Sequence, residues 1–384
     1  VVLFLHNRYR TTGGEERAVD GLIALVRDQL GEPAELLGRD SAELTRLEAA
    51  AGLLRGGLRP DEVARAIRLS GARVVHAHNL HPALGWRALA AARGAGARVV
   101  LHLHQYRIVC AIGVCFTRGE ECTRCSGRNT LPGVLLNCRA SLPEAAAYGA
   151  SLALWQRRLL AQADAVIVPS RFARERLRDL RAPLPWERVH VLAPPVREAP
   201  AREPSGPAPE MHAEGAYALL VSRLAPEKGV DVAIDACRMA GMPLLIAGEG
   251  PELAALQARS GDGAVRFLGH LADEELAALR GRAAIALAPS RSAETFGLAV
   301  AEAMAAGLPV AASRIGALPE LLDEEALHDP GDPRALAGTI ARLAGDRAVG
   351  EANRLRIRTT CAPEVVAGEL ADIYAGRGTL ATST

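Results

Sequence analysis

Lysine is almost missing from this 384-residue chain: of 45 basic residues 44 are arginine, and the one lysine is Lys228. A bias of that size reflects the codon usage of a GC-rich genome. The surviving ammonium is different, because a compact point charge on a flexible stem suits a phosphate oxygen in a tight pocket. Long hydrophobic runs are missing too, and none approaches the roughly 20 residues a helix needs to span a bilayer. The opening VVLFLH (1–6) is too short, and lacks the basic flank, to serve as a leader peptide. Cytoplasmic residence is the expectation, and an initial Val in place of Met suggests that a residue or two was trimmed. A net charge of +1 and 49% hydrophobic content exclude both a polybasic nucleic-acid binder and a disordered chain.

The near-zero net charge hides an asymmetry. Residues 1–196 hold 27 basic and 18 acidic side chains, and the remainder holds 18 basic and 26 acidic. A basic first half points to an anionic partner, either a phosphorylated acceptor or the inner face of a membrane touched peripherally. Ordinary solvated surface is the alternative.

Length alone argues for two domains. Short apolar runs at 1–6, 73–78, 98–104, 165–170 and 188–193 read as strands, with helical stretches at 16–30, 83–94 and 144–163. A segment dense in Pro, Ala and Glu (197–215) reads as a linker or extended loop. The alternation then restarts, with strands at 217–224, 243–250, 265–271, 284–290 and 308–313 and helices between them. The expected fold class is α/β, as two doubly wound Rossmann-like domains facing across a cleft. Their limits are 1–196 and 197–362, with a C-terminal helix in 363–384 packing back on the first. No repeat is visible at the sequence level beyond the βα alternation.

The densest signal is AETFGLAVAEAMAAGLPV (293–310). A strand ends before it, a polar loop carries Glu294, and a helix starts near Phe296–Gly297 and stops at Gly307. Free amides at such a helix start form an anion site, and Gly297 lets a phosphate come close. Glu294 and Glu302 flank that position as two acceptors suited to sugar and ribose hydroxyls. Upstream, SRLAPEKGVD (222–231) places Arg223 and Lys228 on a strand-end loop. AGEGP (247–251), FLGHL (267–271) and GALPE (316–320) mark further strand-end loops.

Together these strings resemble the signature of glycosyltransferase family 4, the group 1 glycosyltransferases, which are retaining enzymes of GT-B fold. The resemblance implies that Glu302 binds ribose and Glu294 contacts the donor sugar. Thr295, Phe296, Gly297 and Leu298 lend backbone amides, while Arg223 and Lys228 neutralise the diphosphate leaving group. Gly248 and Leu268 fall on the family's donor-binding loops.

In the first half, HNRYRTTGGEERAV (6–19) sets Gly13 and Gly14 between a strand and a helix, as in the family's glycine loop. Such a pair permits a tight turn and close approach of a phosphate or sugar. Histidines crowd two strand ends, at His76, His78 and His81 and at His102 and His104. A zinc site is one reading, but no carboxylate accompanies them, and one histidine lining the cleft is the more economical reading. The resemblance selects His104 as a catalytic residue, although Gln105 follows it where the family has Asp or Asn.

Five of seven cysteines fall between 110 and 138. Cys122 and Cys125 form a CxxC and, with Cys110 and Cys138, a candidate structural zinc set. A subgroup of the family is similar in this segment, which here begins HQYRIVC (104–110). Disulfides and unpaired thiols are the alternatives. The resemblance implies transfer from a nucleotide-diphosphate sugar to a hydroxyl of a saccharide, a lipid-linked saccharide or a small natural product. It implies retained configuration, no catalytic metal or other cofactor, and no nucleic-acid partner. A sugar-nucleotide epimerase of the same fold and a catalytically silent partner subunit are the competing readings.

Overall fold

A computed structural model describes residues 1–9, 13–197, 216–261 and 263–377. The proposed linker therefore lies, from residue 198 onward, outside the described residues. The chain divides into two compact units, one within Val1–Thr117, Cys122–Pro195 and Pro363–Thr384, the other within Arg118–Glu121 and Val196–Ala362. Among the described residues no helix is long and apolar enough to cross a membrane.

The first unit is built on a six-stranded parallel sheet. Its strands are β1 (Val2–Arg8), β2 (Ala34–Asp40), β3 (Val74–Ala77), β4 (Arg98–His102), β5 (Ala165–Val168) and β6 (Val189–Val191), in spatial order β2-β1-β3-β4-β5-β6. Val2, Leu3, Phe4 and Leu5 are all buried because helices cover both faces, as a parallel sheet requires. The strand β2, AELLGRD, was not legible in the sequence. It is a half-exposed edge strand with no apolar run, held by parallel pairing with β1 from Val2↔Ala34 to Arg8↔Asp40.

One face of this sheet is closed by the helix Gly14–Asp28 and by the C-terminal helix Pro363–Ala375. The latter contributes Val366, Ala367, Leu370 and Ile373 to the core around Phe4, Leu22 and Val100. Each such side chain buried adds about 1.5–3 kcal/mol at the upper bound of area bookkeeping for the larger ones.

The second unit has its own six-stranded parallel sheet: β7 (Ala218–Val221), β8 (Leu244–Ala247), β9 (Val265–Phe267), β10 (Ile285–Ala288), β11 (Val310–Ser313) and β12 (Leu327–His328). The spatial order is β9-β8-β7-β10-β11-β12. Chain order therefore reverses between β7 and β10, which makes this the topological switch point of the sheet. In folds of this kind ligands bind at the carboxyl edge beside that point. The sequence missed β12, a two-residue edge strand, and the helices Pro333–Leu343 and Arg347–Thr360 beyond it.

Candidate functional site

At the switch point of the second unit, the loop after β7 passes through a 3-10 turn, Pro226–Lys228, into the helix Val230–Ala240. Gly229 joins them at φ 64°, and a Cβ there would stand 2.1 Å from the Pro289 carbonyl oxygen in the loop after β10. Glycine is therefore demanded twice, by a left-handed backbone and by the contact of two loops. The same loops are laced by the Arg291 N–H donating to the Glu227 carbonyl at 2.8 Å, and by Arg291 with Asp231 at 2.7 Å.

This lacing sets Lys228 beside Glu294: Nζ donates to Oε1 at 2.6 Å, and Ser290 Oγ donates to the same oxygen at 2.7 Å. Arg223 lies in the same loop, half-exposed, with its guanidinium on Glu227. Two cations and a carboxylate, all on loops that follow strand ends, thus share one edge of the sheet.

Burial alone would push the Glu294 carboxyl up. The Lys228 ammonium, the hydrogen bonds from Lys228 and Ser290, and the more distant Arg223 outweigh it and hold the carboxyl below its ordinary value. With the folded pKa depressed, the unfolded chain takes up the proton first on acidification. The stabilisation is then complete above the ordinary carboxylate pKa, about 4.3, and is lost as pH falls through the lower folded value. The stability difference between the parent protein and Glu294→Gln, measured in urea from neutral to acid pH, should shrink on acidification. A difference that stays constant contradicts the pairing.

Glycines at the neighbouring strand ends serve close backbone approach. A Cβ on Gly248 (φ 136°) would stand 2.0 Å from the Ser222 carbonyl oxygen, and the Gly248 N–H donates to the Gly269 carbonyl at 2.7 Å. Leu268, half-buried, donates its N–H to Ile246 at 2.8 Å, so the loops after β7, β8 and β9 form one layer. GALPE has a definite role as a support. The Gly316 backbone packs against Glu294, where a Cβ would stand 2.3 Å from the Glu294 nitrogen, and the Ala317 N–H donates to the Glu294 carbonyl at 2.9 Å.

The helix Leu298–Ala305 starts after Gly297 at φ 100°. Thr295 and Leu298 are half-buried, while the Phe296 side chain is buried and leaves only its backbone to a ligand. Glu302 lies further along this helix and is ion-paired with Arg280, which is itself buried on the helix Asp273–Arg282. Sequence reading missed Arg280 because nothing in its own segment, EELAALRGR, distinguishes it from a solvated helix arginine. Only the packing of two helices reveals it.

In the first unit His104 lies past the carboxyl end of β4, with its ring stacked on His102 at 4.2 Å between centroids. Its Nε2 is 2.8 Å from His78 Nδ1. A pocket there is lined by Tyr9, Glu15, His78, His102, His104 and Arg107, among others. Gln105, the departure from the family pattern, donates from Nε2 to Glu15 at 3.0 Å and accepts from Arg107 at 3.2 Å. Tyr9 Oη also donates to Glu15 at 2.8 Å. Burial pushes the Glu15 carboxyl up, against the lowering effects of His6, Tyr9 and Arg107. A carboxylate therefore does accompany the histidines, contrary to the sequence expectation; it arrives from the first helix, 90 residues from Gln105.

Gly13 and Gly14 have a different geometry from the tight turn expected of them. Gly13 is extended at φ −144° and its N–H donates to Glu16 Oε2 at 2.9 Å. A Cβ on Gly14 would meet nothing within 4 Å. One amide at this helix start is already taken by Glu16.

Cys110, Cys115, Cys122, Cys125 and Cys138 line one pocket. A hydrogen bond from Cys115 brings the Cys110 thiol down to about 6, and burial lifts Cys125 to about 11. The donors suit zinc, but the spacing does not: among the described residues no three of these sulfurs lie within 4.8 Å of one another, a separation that His76, His78 and His102 do meet.

The family model described as "Glycosyl transferases group 1" matches residues 215–346, and that described as "Glycosyl transferase 4-like domain" matches residues 11–195. The chain belongs to the group 1 glycosyltransferases, with one of these domains on each unit, and its fold is GT-B. It is 34% identical over 176 residues to the amylovoran biosynthesis glycosyltransferase AmsK of Erwinia amylovora, covering 40% of this chain and 43% of that protein. The chain spans less than half the length of the curated relatives it matches first, 18% of one of them. Among solved structures, sucrose-phosphate synthase from Thermosynechococcus elongatus superposes with a TM-score of 0.69 at 20% identity, covering 98% of each chain. Anabaena HepE in complex with UDP and glucose gives 0.63 at 18% identity, covering 97% of this chain and 99% of that one.

Proposed function

We propose that this protein transfers a sugar, with retained anomeric configuration, from a nucleotide-diphosphate sugar to an acceptor hydroxyl. The observation that carries the reading is the placement of Lys228 and Arg223 beside Glu294 at the switch point of the second unit. Departure of a nucleoside diphosphate concentrates negative charge on the bridging phosphate. Cations fixed there before the reaction stabilise that charge without reorganisation. Amides at 295–298 complete the phosphate site, Glu294 accepts from donor-sugar hydroxyls, and Glu302, held by Arg280, accepts from ribose. His104 stands on the acceptor side, and the leaving phosphate takes the acceptor proton, so catalysis needs no metal. The basic excess of residues 1–196 favours an acceptor with anionic character, among saccharides, lipid-linked saccharides and small natural products.

A thermal-shift screen of UDP-, GDP- and ADP-sugars tests the donor class. One nucleotide family should raise the melting temperature of the second unit, and no shift with any of them removes the reading. Donor turnover with and without added acceptors then separates transfer from epimerisation, which needs no acceptor, and from a silent subunit, which turns over nothing.

A further inference from the structure

The carboxyl ends of β1, β3 and β4 gather histidine in a way that transfer chemistry does not use. Register pairs Phe4 with His76 and His76 with Val100, and two residues further along the chain from each come His6, His78 and His102. These rings therefore stand on one face of the sheet, beneath the C-terminal helix. His76, His78 and His102 are buried, and their centroids lie 4.5–5.4 Å apart. The ring nitrogens His78 Nε2 and His102 Nε2 have no hydrogen-bond partner, although almost every buried polar atom in a folded protein has one.

The separations of the ring nitrogens distinguish this cluster from packed side chains. His76 Nε2 and His102 Nδ1 are 3.3 Å apart, long for a hydrogen bond. It is the separation of two nitrogens on one tetrahedral ion, because bonds of about 2.0–2.1 Å give an edge of about 3.3–3.4 Å. Two of the three outer nitrogens, those of His76 and His78, are meanwhile tied in the manner of metal-ligating imidazoles, while His102 Nε2 has no partner. His76 Nδ1 is 2.7 Å from Tyr374 Oη, and His78 Nδ1 is 2.8 Å from His104 Nε2. One ligand atom from each of His76, His78 and His102 falls within 4.8 Å of the other two.

We propose that His76, His78 and His102 form a buried binding site for a zinc-like divalent transition metal ion, distinct from the sugar-nucleotide site and independent of it. His76 and His78 ligate through Nε2 and His102 through Nδ1. Imidazole donors select zinc, cobalt, nickel or copper over magnesium or calcium. Three protein ligands leave a fourth position, and His78 and His102 line the pocket that also contains Glu15. The ion ties β3 and β4 to the C-terminal helix through Tyr374.

The test uses the full chain carrying Cys122→Ser and Cys125→Ser, so that the CxxC pair cannot supply the binding, and the remaining thiols are judged by the thiolate band. After chelator treatment and dialysis against Co2+, this protein should retain about one ion per chain and show d–d absorption with no thiolate charge-transfer band. His76→Ala and His102→Ala should each lose the bound ion. Tyr374→Phe, which keeps the ring and the packing, should bind Co2+ about tenfold more weakly with unchanged circular dichroism. It decides the matter if the histidine variants do not fold. Negligible cobalt in the parent, equal cobalt in folded histidine variants, or unchanged affinity in Tyr374→Phe each overturns the site.

Discussion

Lys228→Ala is expected to lower donor turnover about 10²–10³-fold, the usual effect of removing one preorganised donor to developing charge, while the protein stays folded. The ammonium is three-quarters buried and sits 2.6 Å from Glu294 Oε1, so its position is set before any ligand arrives. Removing it leaves Glu294 with Ser290 at 2.7 Å, enough to keep the loop in place. Lys228→Arg should not restore activity. A planar fork on a stiffer stem cannot reach the same phosphate oxygen from a turn closed by Gly229. Steady-state donor turnover, with thermal melting as the control for folding, checks both variants. Near-normal turnover in Lys228→Ala removes the lysine from the mechanism.

Gly229→Ala is expected to do comparable damage by a different route. The backbone there is left-handed, which costs an alanine about 1–2 kcal/mol. The new Cβ would also stand 2.1 Å from the Pro289 carbonyl oxygen, so the loops after β7 and β10 must part. Gly241, at the other end of the same helix, provides the control: its φ is 62°, yet a Cβ there meets nothing within 4 Å. Gly241→Ala should therefore show the conformational cost alone. Gly229→Ala should add about 1–3 kcal/mol for the forced backbone shift and also weaken donor binding, because Lys228 and Glu294 are separated. Equal destabilisation by the two, measured by urea unfolding, shows that loop contact does not matter.

The second unit was the more legible because its site is written locally. Glu294, the helix start and Glu302 lie in one string, and Lys228 stands out against an all-arginine background. The supports were not legible. Arg280 and Gly316 act across loops and helices, and only their distances to Glu302 and Glu294 distinguish them from surface residues. In the first unit the strands with apolar runs could be read, whereas β2 could not, because an edge strand needs only one buried face. The histidines were visible as pairs on two strands, but their gathering with Tyr374 required a contact spanning 298 residues. Glu15 and Gln105 show the same limit: one hydrogen bond joins a helix start to a strand end, and no spacing rule connects them.

The Lys228–Glu294 pair is proposed to mark the diphosphate site. Calorimetric titration of the nucleoside diphosphate selected by the donor screen, into the parent protein and into Lys228→Ala, tests it most directly. Saturable binding at one site is expected in the parent, weakened about tenfold or more in the variant, as befits a charge-assisted contact worth about 1.5–3 kcal/mol. Equal affinity in the two proteins would contradict it.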